Sequence, residues 1–474
     1  MKWLKRILWV LTGIMIAVIV AGGWYLFRAV PIGAGYAAKY LCSSVFISGR
    51  NPETVFHEDI EPINPLARVI RPVVNRQDRS VTAVSLGLFK TRAIYREGCG
   101  CTLVVGTTDE ALRSQAVPRR QLVNLPDDRP WPMGDAGPTA PLPAGIDPIV
   151  LEGALNRAFA EPGPRPVIQT RALVVVYRRE LIAERYAPGF HKDIPMPGWS
   201  MSKTVTNALV GILVKKAHLR LAGPAPVPEW QAADDPRRNI TLDQLLRMSS
   251  GLEFEEVYEP LYDATDMLYG SADFAAFAAA KPPVAAPDAQ WSYSSGTSNI
   301  VSRIVRTAIG GNQANYLKFI YRELFDRIGM TSAVVELDPS GTVVGSSYTV
   351  ATARDWAKFG LLYLQDGVWK GERIFPEGWV NYSTTPTPMA PNGRYGAHVW
   401  LNAGTPSNPG NRRWPRLPRD MFLAQGFQGQ RLIVVPSRDL VVVRLGLTLS
   451  DGALDLEQMI LDILRALPPA ERST

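Results

Sequence analysis

Residues 7–27, from Ile7 to Phe27, contain no charged side chain. A run of that length crosses a bilayer as an α-helix, because lipid offers backbone N–H and C=O groups no partners and a helix satisfies them internally. Lys2, Lys5 and Arg6 precede it, which favours a cytoplasmic N-terminus, while Trp9, Trp24 and Tyr25 suit the two membrane interfaces. The rival reading is a cleaved secretory signal, with Ala21-Gly22-Gly23 as a poor processing site. The run is longer than the apolar core of such signals, so an uncleaved single-pass anchor over residues 1–30 is preferred. A lipoprotein signal is disfavoured by the bulky Leu41 before Cys42. Under either main reading the rest of the chain is exported and faces the periplasm or the cell exterior. The anchor reading makes the lipid bilayer a partner of residues 7–27.

The chain has 474 residues, of which 46% are apolar and 20% charged, so it is globular and long enough for more than one structural unit. The net charge of +7 is scattered, and no basic block suggests nucleic-acid binding. Export gives meaning to the cysteines Cys42, Cys99 and Cys101, because disulfides persist outside the cytoplasm. One bridge is expected, from Cys42 to Cys101 or else to Cys99, with one thiol left over. Cys-Gly-Cys as a metal or redox site has no supporting histidine pair or further cysteine. The four histidines (His57, His191, His218, His398) show no ligand spacing, so no metal is expected, and no Gly-rich phosphate loop or other cofactor pattern is present.

Residues 36–66 show no clear periodicity. Strands are expected over 69–74, 80–86, 93–95 and 102–105, separated by polar turns. The stretch 118–148 is proline-rich and reads as a linker or a surface-hugging excursion. A boundary near 145 divides a β-rich accessory segment with its linker (36–145) from a main domain (146–470). In the main domain, Asp147-Pro148 opens a helix, and 172–177 with 181–186 forms a hairpin. Helices then dominate, including 241–248, 271–280 and 352–365. A second hairpin, 431–435 with 440–445, precedes an amphipathic helix over 455–467. The two hairpins are expected to pair into one antiparallel sheet, with the terminal helix and the helix after Ser200 on its faces, an α+β architecture with a helical subdomain.

The chemistry centres on Gly198-Trp-Ser-Met-Ser-Lys-Thr204. Apolar residues at 205, 208, 209, 212 and 213 recur at helical spacing, so a helix begins near Ser200. Residues three apart on a helix are neighbours, which sets the Lys203 amine beside the Ser200 hydroxyl. A buried lysine has its cation disfavoured, leaving an amine able to take the serine proton. Ser202 has Val205 three residues on, so Ser200 is the candidate nucleophile. A serine opening a helix is also a common N-cap, so Ser-x-x-Lys alone is a weak signal.

Two later elements add weight: Tyr293-Ser-Ser-Gly296, and Gln425-Gly-Phe-Gln-Gly-Gln430 just before the closing hairpin. In this order the three elements resemble the serine β-lactamase and penicillin-binding-protein superfamily. The flanking stretches 242–251, 348–355 and 359–369 are similar to its class C β-lactamase-like branch, and 198–211 resembles the 6-aminohexanoate-dimer hydrolases and related esterases. The resemblance covers residues 147–465 and implies a β-lactamase/transpeptidase-like fold. It also implies Ser200 as acylated nucleophile, Lys203 as its base, and Tyr293 as the phenol that protonates the leaving group and later activates water. That last role asks the tyrosine pKa to fall from about 10 toward working pH. The oxyanion hole would come from the backbone N–H groups of Ser200 and Gln430, with Ser295, Gln428 and Gly429 beside them.

Two departures bear on substrate. The family's Lys-Thr-Gly triplet, whose lysine holds a substrate carboxylate, is here Phe427-Gln428-Gly429, and Ser295 stands where Tyr-x-Asn relatives carry asparagine. Both changes favour esters or simple amides over penicillins. The expectation is a membrane-anchored serine hydrolase acting on a small ester or amide. A cell-wall peptidase and a non-catalytic binding or sensor module are the alternatives, and the oligomeric state is left open. No Gly-x-Ser-x-Gly elbow is present, against an α/β-hydrolase. His398 either lines the pocket or is a satisfied structural histidine.

Overall fold

A computed structural model describes residues 2–118, 128–450 and 452–469. Helix α1 (Lys2–Phe46) is the one described helix long and apolar enough to cross a membrane, with mean hydropathy 2.2 over its best window and none of that window buried. It does not stop at residue 30. From Ala29 onward the same helix is embedded in protein, with Ala29, Val30, Ala34, Ala37, Ala38 and Leu41 all buried. This corrects the aperiodic reading of 36–46 and places the expected anchor boundary inside a helix. Contacts on nearly every side let small and apolar residues fill all faces, so no amphipathic stripe is written there.

Around this buried half folds a four-stranded antiparallel sheet, β1 (Ile70–Asn75), β2 (Ser80–Ser85), β3 (Phe89–Arg96) and β4 (Gly100–Leu103), in sequential order. All four expected strands are present, the third longer than 93–95 and the fourth displaced toward the N-terminus from 102–105. Cys42 on α1 is bridged to Cys101 on β4, across 59 residues of chain. Cys99 is free and buried, its thiol donating to the Gln115 carbonyl at 3.3 Å.

The accessory segment is tied to the main domain by buried charge. Asp59, fully buried, accepts from Arg171 Nη1 at 2.8 Å and Tyr40 Oη at 2.8 Å and also pairs with Arg50. Glu336 receives Lys39 Nζ at 2.6 Å and the Cys101 N–H at 2.7 Å. Part of the proline-rich stretch, residues 119–127, lies outside the described residues. Its later part hugs the surface: the Thr139 N–H donates to the Leu181 carbonyl at 2.8 Å, and Asp135 takes Arg354 Nη1 at 2.7 Å.

The main domain begins with α2 (Pro148–Phe159), capped by the Asp147 side chain, which accepts from the Ile149 and Val150 N–H groups. The hairpin β5 (Thr170–Tyr177) and β6 (Glu180–Tyr186) joins a six-stranded antiparallel sheet. Helix α3 (Ser202–Lys215), helix α4 (Ser295–Ile309) and helix α5 (Ala353–Leu364) follow, with shorter helices between α3 and α4 forming the helical layer. The chain returns through β7 (Trp400–Leu401), β8 (Phe422–Gly426), β9 (Gln430–Val435) and β10 (Leu440–Gly446), and ends in α6 (Leu456–Ala466). The sheet order is β7-β8-β9-β10-β5-β6, so the two expected hairpins meet at β10 and β5, with Val442 opposite Val175.

Strand β5 is buried at every position because both sheet faces are covered. Leu173, Val175, Ile433 and Val442 pack against Leu155 of α2 and Ile460 and Ile463 of α6. The opposite face, including Val174, Leu432 and Val441, lies mainly under α5. Gly360 permits that approach, since a Cβ there would sit 2.6 Å from Val441 Cγ1. The helix after Ser200, expected on this face, does not cover it: α5 does, while α3 packs mainly against α4 and reaches the sheet at β8.

Candidate active site

Ser200 lies in a single 3₁₀ turn, Trp199–Met201, that runs into α3 at Ser202. Trp199 takes a left-handed φ of 48°, a conformation non-glycine residues rarely adopt and one that clusters at functional sites. The turn is wedged in place. The Gly198 N–H donates to the Thr349 carbonyl at 2.9 Å, and a Cβ on Gly426 at the end of β8 would sit 2.1 Å from the Gly198 carbonyl oxygen. Ser202 is not a competing nucleophile: its hydroxyl is buried, donates to the Trp199 carbonyl at 2.7 Å and accepts from the Thr349 N–H.

Lys203 is 1% exposed, and its Nζ lies 3.1 Å from Ser200 Oγ, 3.0 Å from Ser295 Oγ and 3.1 Å from the Ser346 carbonyl. Burial lowers its pKa from 10.5 to about 8, with the Glu256 charge acting in the opposite direction. A neutral Lys203 still has two N–H donors for Ser295 and Ser346, and its lone pair is then free for the Ser200 proton.

The Tyr293 ring lies over the Lys203 amine, 4.7 Å from Nζ to ring centroid, and packs against Tyr395 and Trp400 with centroids 5.7 and 5.2 Å away. Its ionisation departs from the sequence-based expectation. Burial, reinforced by Glu256, holds the phenol well above its ordinary range, and contacts with Ser200 and Trp400 offset this only in part. Tyr293 is therefore a neutral phenol at working pH, and Lys203 is the group tuned toward neutrality.

Ser295 is fully buried at the start of α4. Its N–H and hydroxyl both donate to the Glu256 carboxylate at 2.6 Å while the hydroxyl oxygen accepts from Lys203, so its polar atoms are committed within the protein. Glu256 also accepts from Tyr258 Oη at 2.8 Å. Sequence reasoning missed Glu256, because it lies in the irregular stretch 253–260, with no motif or period to mark it.

The turn 427–429 joins β8 to β9. Gln428, at φ 58°, accepts from Trp199 Nε1 at 3.2 Å, which links this turn to the one carrying Ser200. Behind it lies Arg444, fully buried, with Nη1 donating to the Gly429 carbonyl at 3.0 Å. Gly429 admits the guanidinium, since a Cβ there would sit 2.4 Å from Nη1. The Gly429 C=O and Gln430 N–H belong to one trans peptide and point opposite ways, so the N–H is turned away from Arg444. The Gln430 side chain faces inward and donates to the Gly446 carbonyl at 2.6 Å.

His398 is a structural residue. It is buried, with Nδ1 3.1 Å from the Lys203 carbonyl and Nε2 3.3 Å from Ser298 Oγ, and burial followed by the Lys203 charge depresses its pKa to about 3. Among the described residues, no group of three or more His, Cys, Asp or Glu side chains is arranged to hold a metal ion.

The main domain has recognisable relatives. A family model described as Beta-lactamase matches residues 155–455, more than half of the chain. A 6-aminohexanoate-dimer hydrolase from Paenarthrobacter ureafaciens is 23% identical over 302 residues, covering 58% of this chain and 72% of that protein. A penicillin-binding protein homologue from Caulobacter crescentus shares the fold with TM-score 0.53 at 14% identity, over 70% of this chain and all (100%) of that one. A family VIII carboxylesterase aligns with TM-score 0.52 at 15% identity, over 69% of this chain and 99% of its own. The matched family segment contains Ser200, Lys203, Tyr293 and Gln430, and its sheet and helices are those described above: the chain belongs to the β-lactamase family.

Proposed function

We propose that this protein is a membrane-anchored serine hydrolase that cleaves a small ester or amide through an acyl-enzyme on Ser200. The observation that carries the reading is a buried Lys203 amine, with pKa about 8, at 3.1 Å from Ser200 Oγ. Neutral Lys203 takes the Ser200 proton as Oγ attacks the substrate carbonyl. The developing oxyanion is received by the N–H groups of Ser200 and Gln430, the latter facing away from Arg444. The proton on Lys203 passes by way of the Tyr293 hydroxyl to the departing alcohol or amine. Water then attacks the acyl-serine, its proton returns along the same route, and a carboxylic acid leaves with Ser200 restored. Ser295 holds Lys203 in position, while Gln428 ties the 427–429 turn to the turn that carries Ser200.

The third motif supports ester or amide substrates over carboxylate-bearing ones. Phe427 stands where a family lysine would hold a carboxylate, and the buried Arg444 is committed to backbone carbonyls. The helix over 7–27, exposed and uncharged, supports the anchor, with the hydrolase on the exported side.

The test is turnover of p-nitrophenyl butyrate and of nitrocefin by the full chain in detergent, beside Ser200→Ala. Butyrate turnover lost by at least about a thousandfold in Ser200→Ala, with little nitrocefin cleavage, is expected. Undiminished ester turnover in Ser200→Ala, or no fluorophosphonate label on Ser200 in the native chain, overturns the reading.

A further inference from the structure

The exposed half of α1 does more than end at the protein surface. Where it enters the fold it forms one wall of an apolar cavity of about 320 Å³, lined by Tyr25, Ile32, Leu66, Trp199, Tyr258 and Phe427 among others. That volume falls within the range of sites for small organic ligands, roughly 300–1,000 Å³. Its two ends are distinct. At one end Tyr25 belongs to the uncharged run, flanked by the exposed Trp24 and Phe27. Arg28, the first charge after that run, pairs with Asp266 at 3.6 Å, directly beside Thr265 of the cavity wall. The cavity mouth thus lies at the level where the apolar helix gives way to charge, which is the interface depth of a bilayer.

The other end is walled by immediate neighbours of the catalytic residues. Trp199 immediately precedes Ser200, Phe427 immediately precedes Gln428, and Tyr258 donates to the Glu256 carboxylate that holds Ser295. These three rings form a continuous surface, Tyr258 stacked on Phe427 at 5.2 Å and Phe427 edge-on to Trp199 at 5.7 Å. Phe427 remains 37% exposed, an apolar side chain open at the position of the family's cationic triplet residue.

We infer that this cavity takes the acyl chain of an amphiphilic ester or amide that resides in the bilayer. The chain enters sideways beside Tyr25 and Ile32, which brings the carbonyl to Ser200 past Trp199 and Phe427. The inference rests on the serine-hydrolase and anchor readings above and adds the substrate class. Hydrolysis transfers the fatty acyl group to Ser200 Oγ, releases the headgroup alcohol or amine with a proton, and then yields a fatty acid by water attack. Burial of successive methylenes along aromatic walls favours longer chains.

The experiment uses the full chain in phosphatidylcholine vesicles. The ratio of kcat/KM for p-nitrophenyl laurate to that for butyrate is measured in the native protein and in Ile32→Trp, which fills the cavity. A ratio above about ten that falls by about tenfold or more in Ile32→Trp is expected. A readout independent of turnover accompanies it: photolabelling of Ser200→Ala by a diazirine-bearing fatty amide, expected on residues 25–36 or 63–66. If butyrate is cleaved in a Ser200-dependent way but the laurate ratio is unaffected by Ile32→Trp, or the photolabel avoids both segments, this inference is overturned while the hydrolase reading stands. If butyrate cleavage survives Ser200→Ala, the hydrolase reading itself fails.

Discussion

Glu256 and Lys203 face each other through one hydroxyl: Ser295 Oγ donates to Glu256 at 2.6 Å and accepts from Lys203 Nζ at 3.0 Å. The carboxylate thereby orients the amine and, by its charge, raises an amine pKa that burial alone would push lower still. In Glu256→Gln the charge disappears while an amide oxygen remains to accept from Ser295. Because Lys203 must be neutral to act, ester turnover should rise as pH passes through about 8 in the native enzyme. The rise should move to lower pH in Glu256→Gln. A pH profile of kcat/KM checks this, and an unmoved or alkaline-shifted rise would remove Glu256 from the electrostatics of the site.

Tyr293→Phe keeps the ring against Tyr395 and Trp400 and deletes only the hydroxyl. If the neutral phenol relays the proton, kcat should fall by roughly a hundredfold or more, with a melting temperature close to native. A comparable loss in melting temperature would instead make Tyr293 a packing residue.

Asp59 is a stability prediction. It lies fully buried between Arg171 on β5 and Arg50, so Asp59→Asn leaves the buried Arg171 guanidinium without its paired carboxylate and Arg50 with only the more exposed Glu58 at 3.7 Å. Breaking a buried pair of this kind costs about 3–5 kcal/mol, measurable by chemical denaturation at neutral pH. Burial would raise the Asp59 pKa, but Arg171 and then Arg50 outweigh it and hold the carboxyl below its ordinary 3.8. The stabilisation is therefore complete above about 4 and lost as pH falls through the depressed value, so the native and mutant proteins should converge in strong acid.

Removing the Cys42–Cys101 bridge by Cys42→Ser with Cys101→Ser should lower stability by roughly 2–4 kcal/mol, since it frees a long loop in the unfolded chain. Cys99→Ser serves as the control and should leave the non-reducing mobility of the intact chain unchanged. Equal stability with and without reductant in the native protein would contradict a structural role for the bridge.

Much of this molecule is legible in its residues. The uncharged run 7–27, the period-2 stretches of β1 to β4, the Asp147 cap of α2, and the Ser200–Lys203 spacing each depend on interactions within a few residues. Local chemistry of that kind is written in the order of the chain. The buried half of α1 was illegible because contact on all sides erases the helical stripe. Glu256 was illegible because it acts on Ser295 from a stretch without period, and Arg444 because its partners are carbonyls on another strand. The direction of the Tyr293 pKa shift is not legible in the sequence, since burial and then Glu256 set it.

The sequence by itself determined the apolar helix, the two hairpins, and the closeness of the Lys203 amine to the Ser200 hydroxyl. Only the tertiary structure decided which of Cys99 and Cys101 meets Cys42, which carboxylate sits across Ser295 from Lys203, and where the apolar helix enters the fold. The physical reason is range. Helices, strands and a serine–lysine pair on one turn are set by neighbours in the chain, whereas burial and charge at a site are sums over side chains that only folding brings together.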